Sequence, residues 1–283
     1  MIEPRVSGTM THVAIVTRYS FLNYFRAKRF YVMLAIILLM SGLLTLAVGV
    51  YRPAFFGFPQ NGQQIPVEVT RLAFYSVWWG GFANLIVIIS AALFGGDSIS
   101  GEFQNKTGYF LLPNPIRRSS VYVGRYIAAL VASTMMLLLF AGISLANGVY
   151  YFGGGVPAEF GESILFGWFY LVAAMSLTFL FSSAFKTSAV SVLMTVILLL
   201  FVFNIVDLVI GVVAKVEPWF SITYAYSIVR TVLSTPTTGP GGGLGGAGFG
   251  FTPTIPEGLA IMGAYFVVTG VLGLVLFEKK EFT

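Results

Sequence analysis

The sequence predicts an all-α polytopic membrane protein: six transmembrane helices, both termini cytoplasmic, with an interfacial helix ahead of the first span. Three observations predict it. Of 283 residues, 57% are hydrophobic and only 10% charged, with a mean hydropathy of +0.87. A soluble domain carries roughly a quarter charged residues, so too little polar surface remains here to wrap an aqueous core, and the solvent is lipid. Six apolar runs each approach the ~20 residues that a helix needs to cross a bilayer. Finally, twelve lysines and arginines fall on one set of connections and four on the other, which assigns the richer side to the cytoplasm.

Residues 1–29 form a basic cytoplasmic segment with Arg5, Arg18, Arg26, Lys28 and Arg29. Within it, Ile15, Tyr19 and Leu22 share one helical face, which suits a helix lying at the membrane surface with its basic residues near phosphates. So long a basic segment, followed by so long an apolar run, marks a retained span and not a cleaved signal. The membrane domain, 30–283, carries spans at about 30–50, 72–94, 126–150, 164–185, 189–214 and 258–277. Runs this long without alternation are helices, because an isolated segment in lipid must satisfy its own backbone hydrogen bonds. Small residues at Ala128, Ala129 and Ala132 in the third span, and at Gly263, Gly270 and Gly273 in the sixth, permit close helix approach within a chain or between chains.

The connections are unequal. Lys186-Thr187-Ser188 leaves room only for a tight hairpin between the fourth and fifth spans. Residues 95–125 form the one sizeable cytoplasmic loop, with Lys106, Arg117, Arg118 and Arg125. Outside, 215–257 holds a Gly/Pro/Thr-rich stretch at 234–256, which reads as an exposed loop. Upstream of it, Trp219, Tyr224 and Tyr226 are expected at the membrane–water interface.

Polar residues inside the spans are few. Asn84 is near mid-membrane, where an amide serves as helix–helix glue or faces a cavity; glue is the expected role. Asp207 lies about 27 Å along the fifth span at 1.5 Å per residue, and reads as an acid reaching water at the outer interface. The alternative is a polar pathway lining shared with Asn204 one turn earlier.

The same residues exclude much chemistry. The chain has no cysteine, hence no disulfide, thiolate metal site or iron–sulfur cluster. The single histidine, His12, is outside every span, which argues against intramembrane zinc, bis-histidine haem or serine-protease sites. Asp97 and Asp207 sit a bilayer apart, too far for an aspartyl dyad. No ionisable group lies at the midplane, against a proton-coupled carrier. No GxxxxGK[ST] occurs, and the GxGxxG match at 241–246 lacks the strand and helix of a dinucleotide site. Asn105-Lys106-Thr107 matches a glycosylation acceptor on the wrong side of the membrane. No catalytic residue, metal site or cofactor is expected in this chain. The basic excess is a topology and lipid-headgroup signal, not a nucleic-acid one.

The richest segment is GEFQNKTGYFLLPNPIRRSSVYVGR, residues 101–125. Glu102 and Lys106 are spaced i, i+4 in the favourable order for a short helix. Phe110, Leu111 and Leu112 then place large apolar side chains on a loop bathed by water. Pro113 and Pro115 stop the helix, and Arg117-Arg118 anchor the return to the membrane. An apolar cluster rimmed by charge marks a docking surface, unless it tucks under the chain's own helices.

These residues carry a resemblance. Glu102, Thr107-Gly108, Leu111-Leu112, Pro115-Ile116-Arg117 and Gly124-Arg125 resemble the permease subunits of type-2 ABC transporters, the ABC-2 family. There the order is glutamate, Gly-Thr, Leu-Leu, Pro-x-x-Arg and Gly-Lys. Here glycine and threonine are exchanged, the proline–arginine spacing is one residue shorter, and arginine replaces lysine. The resemblance implies a permease that works as one of two side-by-side chains, identical or not, each docked on a separate ATP-binding cassette subunit that holds ATP and Mg. It further implies that 95–125 contains the coupling helix, that the segment before the first span is an elbow helix, and that the outer connection carries an external helical region. The implied function is a subunit of an ATP-driven exporter in the cell membrane. The alternative is a membrane anchor or assembly protein that docks a cytoplasmic partner without transport; a P-loop ATPase encoded beside this gene would separate the two.

Overall fold

The structure, a computed structural model, describes residues 9–50, 67–105, 117–233 and 251–280. Among these there is no strand, and six helices are long and apolar enough to cross a membrane. Helix α1 (Thr9–Arg26) is followed after a bend at Ala27 by α2 (Lys28–Val50), the first span. The second span is composite: α3 (Val67–Tyr75), a π turn at Ser76–Gly80, then α4 (Gly81–Gly95). A short helix, α5 (Ser100–Gln104), follows it. The third and fourth spans are α6 (Arg118–Phe152) and α7 (Ala158–Ala184).

The fifth span begins as α8 (Ser188–Ile197), passes a π turn at Leu198–Val202 into α9 (Phe203–Leu208), and ends in a second π turn at Val209–Ala214. Two helical turns follow, α10 (Ile222–Tyr226) and α11 (Ile228–Thr231). The sixth span, α12 (Ile255–Lys279), opens on a capping box of Thr254 and Glu257, which satisfies two backbone N–H groups at its start.

The third helix differs from the sequence expectation. With 35 residues it is about 52 Å long at 1.5 Å per residue, well beyond the ~30 Å hydrocarbon core. The connection expected over 95–125 is therefore helical from Arg118 onward. Hydropathy misses this because Arg118, Ser119, Ser120 and Arg125 are polar, although none of them breaks a helix.

The second, third and fourth spans form the core; the fifth and sixth are the least buried. Trp78, Trp79, Phe140, Phe160 and Tyr170 are fully buried between them. Ala128, Ala129 and Ala132 are buried in this same core, and Gly273 packs on Tyr122 and Leu180. Those four serve packing within the chain, whereas a Cβ at Gly263 would meet nothing within 4 Å.

Asn204 answers a local need. A π turn misaligns the backbone ladder, and an unpaired carbonyl in hydrocarbon is costly. The Asn204 side-chain amide donates to the carbonyls of Leu199 (3.1 Å) and Leu200 (3.0 Å), within the turn itself.

Helix α1 packs against the start of α6. The approach depends on Gly124, where a Cβ would lie 2.9 Å from the Val16 Cβ and 3.1 Å from the Val13 carbonyl oxygen. The Thr17 hydroxyl donates to the Gly124 carbonyl at 3.1 Å. Ile15, Tyr19 and Leu22 face away, exposed, as a helix with a lipid-facing side requires.

Candidate functional site

The end of α1, the start of α6, α5, the turn between the fourth and fifth spans and the end of the sixth span meet at one end of the bundle, called here the terminal face. Helix α5 is its hub. The first backbone N–H groups of any helix lack intrahelical partners. Here those of Ile99 and Ser100 both donate to the Ser182 hydroxyl of the fourth span, at 3.0 Å each. At the other end of α5, the Gln104 side chain accepts the Ser188 N–H at 2.9 Å, from the first turn of the fifth span. Between them, Glu102 forms an ion pair with Arg125 of the third span, and Arg125 also donates to the Ser98 carbonyl at 2.5 Å.

The sequence pairs Glu102 with Lys106; in the structure its ion-pair partner is Arg125, 23 residues away. The Gly124-Arg125 pair thereby has a physical basis. Glycine lets α1 approach, and the adjacent arginine holds α5. Arg117 sits exposed as the residue that opens α6. Lys106, Thr107, Gly108, Leu111, Leu112 and Pro115 lie outside the described residues.

Three further ties surround the hub, none singled out by the sequence reading. Asp97 forms an ion pair with Arg29 at the start of the first span. The Tyr24 hydroxyl of α1 is 2.9 Å from that of Ser98, and burial pushes its pKa up, so it stays neutral. Lys280, just past the sixth span, reaches the end of the fourth span, where its ammonium donates to backbone carbonyls. Nothing in this cluster pairs a nucleophile with a base. What it offers is mechanical connection: α5 touches the third, fourth and fifth spans and the residue just past the sixth.

The distal face is built differently. Asp207 does not reach water there: it is buried at 2% exposure, against the sequence expectation. Its Oδ2 accepts the Thr223 hydroxyl at 2.5 Å, and Thr223 is 2.9 Å from Ser221. The segment after the fifth span folds back over the acid and covers it. Tyr224 and Tyr226, expected at the interface, are likewise buried, while Trp219 is exposed. The Tyr226 hydroxyl donates to the Gly80 carbonyl at 3.0 Å, and the Trp79 indole to Ser163 at 3.0 Å; Ser163 in turn donates to the Val229 carbonyl at 2.6 Å. Asn84 accepts the Tyr170 hydroxyl at 2.8 Å, joining the second and fourth spans as glue. Asn84, Asn204 and Asp207 all spend polar atoms on the chain's own packing.

Comparison with known proteins agrees with the architecture. The ABC-2 family transporter protein profile matches residues 14–282. An uncharacterized membrane protein, YdbK, of Bacillus subtilis (strain 168) is 32% identical over 122 residues, which is 41% of this chain and 48% of that protein. The chain thus spans about half the length of this relative. A match that runs from α1 past the sixth span, on six membrane-crossing helices, places the chain in the ABC-2 transporter family, as a multi-pass permease of the cell membrane.

Proposed function

We propose that this permease is the membrane half of an ATP-driven exporter and that a separate ATP-binding cassette subunit docks on residues 95–125. ABC-2 permeases generally work with a cytoplasmic ATPase subunit; ATP and Mg belong to that partner. The observation that carries the reading is the wiring of α5, which links the proposed docking segment to the third, fourth and fifth spans through Arg125, Ser182 and Ser188. The terminal face is cytoplasmic by the twelve-to-four distribution of lysine and arginine. A second permease chain, identical or not, supplies the rest of the pathway. The exposed apolar face of the fifth span, with Leu193, Ile197, Phe201 and Ile205, supports a surface for that chain or for lipid.

The test separates docking from coupling. Leu111→Asp with Leu112→Asp removes apolar burial worth up to about 1.5–3 kcal/mol per fully buried side chain, and should detach the ATPase on co-purification. Glu102→Ala should leave the ATPase bound and lower vanadate-sensitive transport into inside-out vesicles. A double leucine variant with full ATPase retention and transport would overturn the docking assignment.

A further inference from the structure

Lys280 occupies a position that neither lipid anchoring nor topology requires. Its Nζ donates to the carbonyls of Ser183 and Phe185, both at 2.8 Å, and approaches that of Ala184 at 3.4 Å. These are the carbonyls left without partners where the fourth span ends, and a cation at a helix C-terminus also meets the negative end of its dipole. The same ammonium lies 4.2 Å from the ring centre of Phe103 in α5, within cation–π range. The tail is held there by Arg118, which donates to the carbonyls of Glu278 (3.1 Å) and Lys280 (3.0 Å).

We propose that Lys280 is a positioning residue of the coupling machinery: its ammonium clamps α5, through Phe103, to the end of the fourth span, and so fixes the distance between α5 and the turn that starts the fifth span. This rests on α5 being the element that the ATPase moves. A charged group is required, because a neutral amine forfeits both the dipole attraction and the cation–π contact.

Burial, and then the nearby Lys186, lower the pKa of Lys280 to about 8, so the ammonium is the prevailing form at neutral pH.

The experiment uses the full chain with its ATPase in lipid nanodiscs. The chain has no cysteine, so nitroxides can be placed on Asn105→Cys and Thr187→Cys, both exposed and flanking the Gln104–Ser188 bond. Dipolar broadening of the spectrum should be strong in the otherwise native chain at pH 7. With Lys280→Met it should be weak, and Lys280→Arg should restore it. Broadening that is unchanged by Lys280→Met, or that Lys280→Arg fails to restore, would overturn the proposal. If the broadening behaves as expected while no ATPase co-purifies, the clamp stands and the docking assignment fails.

Discussion

The two ends of the bundle are held by different chemistry. Toward the distal face, rings and neutral donors close a dry interior around one buried acid: Trp79 to Ser163, Ser163 to Val229, Tyr226 to Gly80, Thr223 to Asp207. At the terminal face charged ties join the neutral ones of Ser182 and Gln104: Glu102 with Arg125, Arg29 with Asp97, Lys280 with the end of the fourth span. Buried neutral hydrogen bonds have no competitor in hydrocarbon and do not respond to salt. Charged ties near water can exchange partners with solvent, with headgroups or with another protein. The difference teaches where the molecule admits outside control. If a partner acts on α5, as proposed, it meets interactions that can be remade, whereas the distal end is held by ones that cannot.

The sharpest way to break this contrast is to hollow the distal core. Trp79 is fully buried, stacks on Phe140 with ring centres 6.0 Å apart, and meets Phe160 edge-on. Trp79→Ala should cost about 3–5 kcal/mol, a fall of about 10 °C in the melting temperature of the detergent-purified permease, with the same loss at 50 and 500 mM salt. A salt-dependent loss would mean that the distal end is not the dry lock described.

The next largest effect belongs to the Glu102–Arg125 pair. Its side chains are only 21% and 15% exposed, so each single alanine substitution leaves a half-buried charge behind, at about 1–3 kcal/mol. The double substitution should cost less than the two singles together, because it leaves no orphan. A thermal-shift cycle over Glu102→Ala, Arg125→Ala and both reads this directly. Strict additivity would show that Glu102 serves another partner, such as the Lys106 that helical spacing offers.

That alternative shows what was legible in the sequence and what was not. The six spans could be read because lipid permits little except long apolar helices. Asn84 could be read because a mid-membrane amide must bond to something. The partner of Glu102 could not: the i, i+4 rule sees only one helix, and Arg125 arrives through the packing of the third span beside the second. Asp207 was misplaced for a related reason. Distance along a helix gives its depth, but not whether a later segment folds over it, and Thr223 sits on short turns with no hydrophobic period. Tyr224 and Tyr226 failed similarly, since an aromatic ring with one polar tip suits an interface and a buried hydrogen bond equally. The π turns leave no trace in hydropathy. Lys280 looked like a topology charge because its carbonyl partners are about a hundred residues upstream.

The smallest expected effect tests whether all ionic ties at the terminal face are alike. Arg29 and Asp97 are ion-paired, but their side chains are 42% and 25% exposed, against 15% for Arg125 and 21% for Glu102. Water screens a pair this open, and such pairs are worth about 0–1 kcal/mol. Arg29→Ala should therefore lower the melting temperature by no more than about 2–4 °C, and 500 mM salt, with a Debye length well under 10 Å, should erase even that difference. The Glu102–Arg125 coupling, being less exposed, should survive the same salt in large part. If instead Arg29→Ala costs as much as Arg125→Ala and persists in salt, the bend at Ala27 between α1 and the first span is a second rigid junction. The proposed control through α5 would then have a second entry through α1.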